Sequence, residues 1–132
     1  MRFLAVSRVG LVPDGGNIFF LSRMMSLPLA KELVFTARMV EAQEALELGL
    51  INRIFPPDAL QKETMAFAVK LANGPTKAYG LAKQLFNQAL RGDLKAFTEA
   101  ESYAQFQCLH SDDHQEGLSA LNEKRPAKFK GK

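Results

Sequence analysis

The chain has 132 residues, 47% of them hydrophobic, and its 17 lysines and arginines against 14 aspartates and glutamates give a formal charge of +3. A chain of this length bounds a single domain able to bury roughly two-thirds of its surface, and no apolar run approaches the length of a bilayer span. The mild basic excess is interspersed rather than gathered on one aromatic-studded face, which argues against a nucleic-acid binder, and the one cysteine, Cys108, excludes an internal disulfide and fits a reducing compartment.

Residues 1–6 lack the basic, apolar and small-residue succession of a secretory signal, so a soluble cytoplasmic protein is expected. The stretch Val9-Gly10-Leu11-Val12-Pro13-Asp14-Gly15-Gly16 then closes a short apolar run in a turn that opens a helix through Ile18, Phe19, Phe20 and Leu21. Pro13 fixes one backbone angle and the two glycines permit close backbone approach, so a lone carboxylate, Asp14, is held at the mouth of the helix. Unpaired N–H groups of Gly15, Gly16 and Asn17 would attract anions there and lower a nearby carboxyl pKa. A proton-transferring aspartate works better when apolar surroundings raise it above its reference of about 3.9, and Phe19 and Phe20 are placed to supply them. Spacing alone leaves two roles open for Asp14, catalysis and the helix N-cap. Met24 and Met25, with Phe19, Phe20 and Leu21, are either the wall of an acyl pocket or ordinary core.

Residues 29 to 35 carry the spacing of a second short helix with Leu29, Leu33 and Phe35 inward, and Thr36 to Val40 is a break with weak strand character. A helix from Ala42 to Leu48 is predicted to end in a left-handed Gly49, with Glu41 standing where an N-cap serine or threonine is expected. Leu50 to Phe55 alternates enough for a short edge strand, stopped by Pro56-Pro57.

Three longer helices follow. Asp58-Ala59-Leu60-Gln61 resembles a capping box, and the helix behind it is expected to bury Leu60, Phe67, Ala68 and Leu71 before Asn73-Gly74-Pro75. The next, from about 76 to 90, places Ala78, Ala82, Leu85 and Ala89 on one stripe. Asp93 caps a third, whose apolar side holds Leu94, Phe97, Ala104 and Cys108 and is interrupted by Glu101, either a paired structural carboxylate or a functional one. The final helix takes Asp113 as N-cap, with Glu116 completing a capping box and Gly117, Ala120 and Leu121 forming a small-residue face. Beyond it, Lys124 to Lys132 is strongly basic, and a solvated extension is the simplest account of it.

His110 and His114 lie one turn apart, but no cysteine or carboxylate pattern completes a zinc site and Ser111-Asp112-Asp113 intervenes, so no metal is expected. Ser22 and Ser26 have no nearby histidine for a triad. Dinucleotide and phosphate-loop fingerprints are absent, as are repeats and low-complexity segments.

Several separated segments, in the same order, resemble the C-terminal half of the enoyl-CoA hydratase/isomerase (crotonase) superfamily. They are Gly-Leu-Val-Pro-Asp-Gly-Gly at 10–16, Leu-Ser-Arg at 21–23, Ala-Lys-Glu-Leu at 30–33 and Glu-Ala-Leu-Glu-Leu-Gly-Leu-Ile-Asn-Arg at 44–53. The likeness resumes at Pro75, Ala78 and Lys83, at Ser-Asp-Asp-His-Gln-Glu-Gly over 111–117, and at Glu123-Lys124-Arg125-Pro126 with Phe129.

The resemblance implies a mainly α chain, the C-terminal helical part of a crotonase-like α/β fold with at most one or two short strands. Residues 1–55 would end the core and carry the Pro-Asp-Gly-Gly turn, and 56–132 would form a helical oligomerisation and lid region. It implies an acyl-CoA-processing enzyme that shifts a double bond in an enoyl-CoA by proton transfer through Asp14. Gly15, Gly16, Phe19 and Lys124 would contact the substrate, and coenzyme A would enter as part of that substrate with no separate cofactor or metal. Members of the family are longer, and their first half forms the β-spiral that supplies both oxyanion-hole amides, so this chain alone is expected to be inactive.

In the hydratase branch two glutamates handle water. One belongs to that first half, and the other falls four residues before Gly10, where Val6 stands here. In isomerase-like branches the carboxylate sits at the position of Asp14, which favours isomerisation and leaves hydration as the enzyme alternative. A lysine at the position of Lys124 lies near the coenzyme A nucleotide, often that of a neighbouring subunit, while Leu121 stands where many relatives have an aromatic beside the adenine. A homo-oligomer, a trimer or pair of trimers, is implied, with no nucleic-acid or membrane partner. The non-enzyme alternative is a helical oligomerisation module or truncated product.

Overall fold

The computed structural model describes residues 5–132. The expectation that residues 1–6 are no secretory signal rests in part on residues 1–4, which lie outside the described residues. A 3-10 turn (Ala5–Val9) precedes α1 (Asn17–Met24), α2 (Leu27–Thr36) and α3 (Ala42–Glu47); α4 (Pro57–Ala72), α5 (Thr76–Ala89), α6 (Leu94–Leu109) and α7 (Asp112–Asn122) follow. The chain is mainly α, and no strand occurs among the described residues. Neither the weak strand at 36–40 nor the edge strand at 50–55 forms, because no second extended segment among the described residues offers them a ladder of hydrogen bonds. No described helix is long and apolar enough to cross a membrane.

The chain divides into two compact units, Met1–Pro57 and Asp58–Lys132, in place of the single domain its length suggests. The division follows where apolar burial is concentrated. In the first unit Leu21, Ala30, Leu33, Val40 and Ala45 form one cluster, with Met25, Leu29, Val34, Leu50 and Ile51 packed against it. Leu33 is 0% exposed and Val40 2%. Phe35, expected inward beside Leu33, is 76% exposed, because it lies two residues on and therefore about 200° around the helix.

Two termini in this unit are built by backbone geometry. Helix α2 carries Pro28 in its first turn, where a missing N–H is tolerated. Helix α3 ends as the sequence predicts: Gly49 has φ +71, its N–H donates to Leu46 O at 3.0 Å, and Leu50 N–H donates to Ala45 O at 2.8 Å. That 6→1 and 5→2 pair is a Schellman cap, and Leu50 folds back on the core that holds Ala45. Arg38 then ties α2 to α3, its fork on Glu44 at 2.7 and 3.0 Å and its Nε on Glu32 at 3.1 Å.

The second unit buries little apolar bulk, chiefly Ala104 of α6 and Ala120 of α7. Leu60, Phe67, Ala68 and Leu71 of α4, expected inward, are exposed, as is Leu94 of α6 at 77%. Their periodicity marks an apolar face that stays exposed. Asp93 caps α6 as predicted, its Oδ1 accepting from Ala96 N–H at 2.9 Å. Asp58 does not cap α4: the helix begins at Pro57, which places Asp58 inside the first turn. Nor is Asp113 the cap of α7. Ser111 is, accepting from His114 N–H at 3.1 Å, and both carboxylates of the anticipated capping box are free for other partners.

Because Leu33 has no exposed surface, shortening it should leave a cavity its neighbours cannot fill. Leu33→Ala is expected to lower stability by about 2–5 kcal/mol, read as a fall in the urea midpoint of the helical circular dichroism signal; a shift near zero would show the site able to collapse.

Candidate active site

Asp14 lies between a buried proline and two left-handed glycines. Gly10 N–H to Ser7 O and Leu11 N–H to Val6 O, both 3.2 Å, close the preceding turn, and Pro13 is buried directly before Asp14. Gly15 and Gly16 have φ of 61 and 79, a region that costs L side chains about 1–2 kcal/mol. Gly16 is also short of room, since a Cβ there would stand 3.1 Å from the Phe20 ring. It is the N-cap of α1 and contributes no side-chain bond. The turn is locked instead through the Asp14 carbonyl, which accepts from Asn17 N–H at 3.1 Å and from Asn17 Nδ2 at 2.5 Å.

The Asp14 carboxylate is exposed and makes no hydrogen bond to any described residue. Its use as a helix cap, one of the two roles open from spacing, is therefore not made. Phe19 stands in the first turn of α1, its ring edge-to-face with Phe20 at 5.3 Å and 88°. The Arg23 guanidinium lies 3.5 Å from the Phe19 ring centroid, and its Nη1 donates to Phe19 O at 3.0 Å. Arg23, of the Leu-Ser-Arg segment, stands i, i+4 to Phe19, a spacing from which this contact was legible in the sequence. Met25 packs on the core, whereas Met24 is exposed, so the two methionines do not form one wall. The cleft beside α1 and α2, about 190 Å³, is lined by Leu21 of the candidate acyl wall together with Ile18, Leu27, Val34 and Phe35.

Asp14, Gly15, Gly16 and Phe19 thus sit together on one turn and the helix it opens. Lys124 belongs to the second unit. There it occupies the left-handed position after α7, φ +52, with its N–H on Leu121 O at 3.2 Å and Arg125 N–H on Ala120 O at 3.0 Å. The residues that follow are not a solvated extension. The Asp113 carboxylate, 4% exposed, accepts Lys130 N–H at 2.6 Å and Gly131 N–H at 2.9 Å, and Asp113 N–H donates to Lys132 O at 3.0 Å. Glu116 holds the Arg125 fork at 2.6 and 3.0 Å and Lys128 N–H at 2.7 Å. Phe129 rests beside Gly117, where an added Cβ would come within 3.7 Å of its ring, so this contact uses part of the small-residue face. The Arg125 fork first, and then the Lys128 amide, hold the Glu116 carboxyl down to about 2.

Glu101 borders an apolar groove of about 310 Å³ with Leu85, Phe86 and Phe97, and it makes no ion pair among the described residues, contrary to the paired structural role weighed for it. His110 directs Nδ1 to Phe106 O at 2.8 Å, and no group of three His, Cys, Asp or Glu among the described residues is placed to hold a metal ion.

Comparison with known proteins defines the class. The enoyl-CoA hydratase/isomerase family model matches residues 3–132, and the chain belongs to that family. It is 32% identical to a short-chain-enoyl-CoA hydratase of Clostridium acetobutylicum over 89% of this chain and 45% of that protein. It is also 32% identical to a trans-2-decenoyl-[acyl-carrier-protein] isomerase of Streptococcus mutans, over 99% of this chain and 50% of that one. The crystal structure of an enoyl-CoA hydratase from Bacillus anthracis superposes with a TM-score of 0.89 at 32% identity, covering 96% of this chain and 49% of that one. The chain spans about half the length of the relatives it matches, and its fold is a mainly α region of the crotonase fold.

The depressed Glu116 carboxyl carries a sign. Its folded-state value lies below the ordinary 4.5, so the strap over 125–132 gains stability that is complete above that value and lost as pH falls toward about 2. Acid titration followed by amide exchange should therefore release the Lys128 amide across that window in the parent and not in Glu116→Gln, where it is already weakened; coincident titration in both would refute the coupling.

Proposed function

We propose that the whole protein processes an acyl-CoA thioester, moving a double bond along an enoyl chain, and that Asp14 carries the proton between carbons. The observation that supports this reading is the state of Asp14. A carboxylate held on two left-handed glycines, with neither a cap nor an ion pair to occupy it, is available for substrate. Removing a proton next to the thioester carbonyl leaves a dienolate, and returning it at the far carbon of that system completes the shift. The same carboxylate can perform both steps if it reaches both carbons. Gly15 and Gly16 would let substrate approach the backbone, Phe19 would limit water, and Lys124 would meet the nucleotide phosphates. No separate cofactor is required by this chemistry.

The enolate oxygen needs donors that these residues do not supply in the family pattern. Loss of one such donor typically costs about a hundred- to a thousandfold, so the chain by itself should turn over negligibly. Hydration is the enzyme alternative, supported by the hydratases among the relatives; Val6, at the place of a water-handling glutamate, favours isomerisation. The exposed apolar side chains Phe86, Leu94 and Leu121 support self-association of the whole protein, as a trimer or a pair of trimers, and equally a second reading, a non-catalytic helical oligomerisation module.

In the whole protein, Asp14→Asn should lower isomerase turnover by about a hundredfold to ten-thousandfold with little change in stability. Turnover within a few-fold of the parent would overturn the role. Formation of a 3-hydroxyacyl product at a rate exceeding isomerisation would move the assignment to hydration.

A further inference from the structure

Lys124 is placed where an exposed lysine is an expensive choice. Helix α7 ends in a Schellman cap whose left-handed position is Lys124 itself, and glycine would occupy that position without the steric penalty. The other non-glycine residue with positive φ among the described residues, Ala37, is buried, so its methyl group packs against the first unit's interior. Lys124 has no such compensation: it is exposed, and its ammonium pairs with no described residue. Backbone strain of this kind is retained where a side chain is used.

Glu123 directly precedes Lys124, and Arg125 on its other side occupies Glu123 together with Glu116 of α7. Its Nη1 and Nη2 take both oxygens of Glu116, and its Nε takes Glu123 Oε2 at 2.6 Å. A planar fork satisfies two carboxylates at once, which a lysine ammonium, as a point charge, does less well. With Glu116 also accepting Lys128 N–H, neither acid has a strong reason to turn to Lys124. We propose that Arg125 is a positioning residue for substrate binding: by holding Glu116 and Glu123 it keeps the Lys124 ammonium unpaired on its left-handed cap, available to the phosphates of a coenzyme A thioester.

This rests on the reading of Lys124 as a substrate contact, and two measurements on the whole protein separate the parts. The first needs no ligand. The rate at which acetic anhydride acylates Lys124 relative to Lys70, read by mass spectrometry, should fall several-fold in Arg125→Gln as the released carboxylates pair with Lys124. It should return to the parent rate when Glu116→Gln and Glu123→Gln are added. The second is affinity for adenosine 3′,5′-bisphosphate, expected to weaken about tenfold in Lys124→Gln and about as much in Arg125→Gln, with recovery in the triple variant. Recovery on removing two further side chains is not what a damaged fold would give. If Arg125→Gln lowers the total helical circular dichroism signal, Arg125→Lys, which keeps the charge but not the fork, should move both readouts in the same direction by less. Unchanged labelling in the folded Arg125 variant, or no recovery in the triple variant, overturns the proposal alone. Parent-like affinity in Lys124→Gln overturns it together with the reading of Lys124 as a contact.

Discussion

The burial of Leu33 is the constraint from which the Asp14 turn takes its position. Helix α2 brings Leu33 into full burial with Leu21 of α1 and Val40 and Ala45 from the segments that follow. Leu21 lies in the second turn of α1, and the same helix starts at Gly16, so the core fixes the helix and the helix fixes the turn. Within the turn, the side-chain bond is that of Asn17 Nδ2 to the Asp14 carbonyl. That is why Asp14 can be left without a hydrogen-bond partner: its carbonyl carries the local structure through Asn17, and its carboxylate carries none.

The second unit is held by a different kind of interaction. With mainly alanines buried, its C-terminal segment is secured by carboxylates that accept backbone N–H groups. A buried carboxylate is unfavourable unless its oxygens are satisfied, and Asp113 satisfies both from one short stretch. The consequence is a strap whose path is specified by polar groups, with Lys132 Nζ adding a long ion pair to Asp112 at 3.9 Å. Chain reversal at Lys124 is what brings the strap back along α7, so the strained residue and the strap are parts of one device.

Much of this was legible in the sequence where the signal was local. Gly49 announced the end of α3, Asp93 the start of α6, and the Pro-Asp-Gly-Gly string the turn before α1, because each is a matter of a few backbone angles or one hydrogen bond. Long-range partners were not. Asp113 and Glu116 have the spacing of a capping box, and nothing within four residues of them reveals that their oxygens go to residues 125–131 instead. Leu60, Phe67 and Leu71 are expected inward and are exposed, because periodicity says which side of a helix is apolar and not what covers it. Phe35 failed for a simpler reason, since its hydrophobicity outweighed its angle.

Across both units, arginine and lysine divide the electrostatic labour. Arg38 holds Glu32 and Glu44, and Arg125 holds Glu116 and Glu123; in each case hydrogen bonding from the guanidinium, ahead of simple charge attraction, pulls a carboxyl below its ordinary range. These pairs are partly solvated, so their value lies less in stability than in geometry. An acid held by a fork is less available to any other cation. Asp14 and Lys124 are left outside these pairings, one as an unbonded carboxylate on a glycine turn and the other as an unpaired ammonium on a strained cap. An acid needed for proton transfer and a cation needed for an anionic ligand would both be disabled by a nearby partner of opposite charge. For Lys124, confining Glu116 and Glu123 to the Arg125 fork is a physical means of leaving its ammonium free, and it requires no contact between the fork and the ligand.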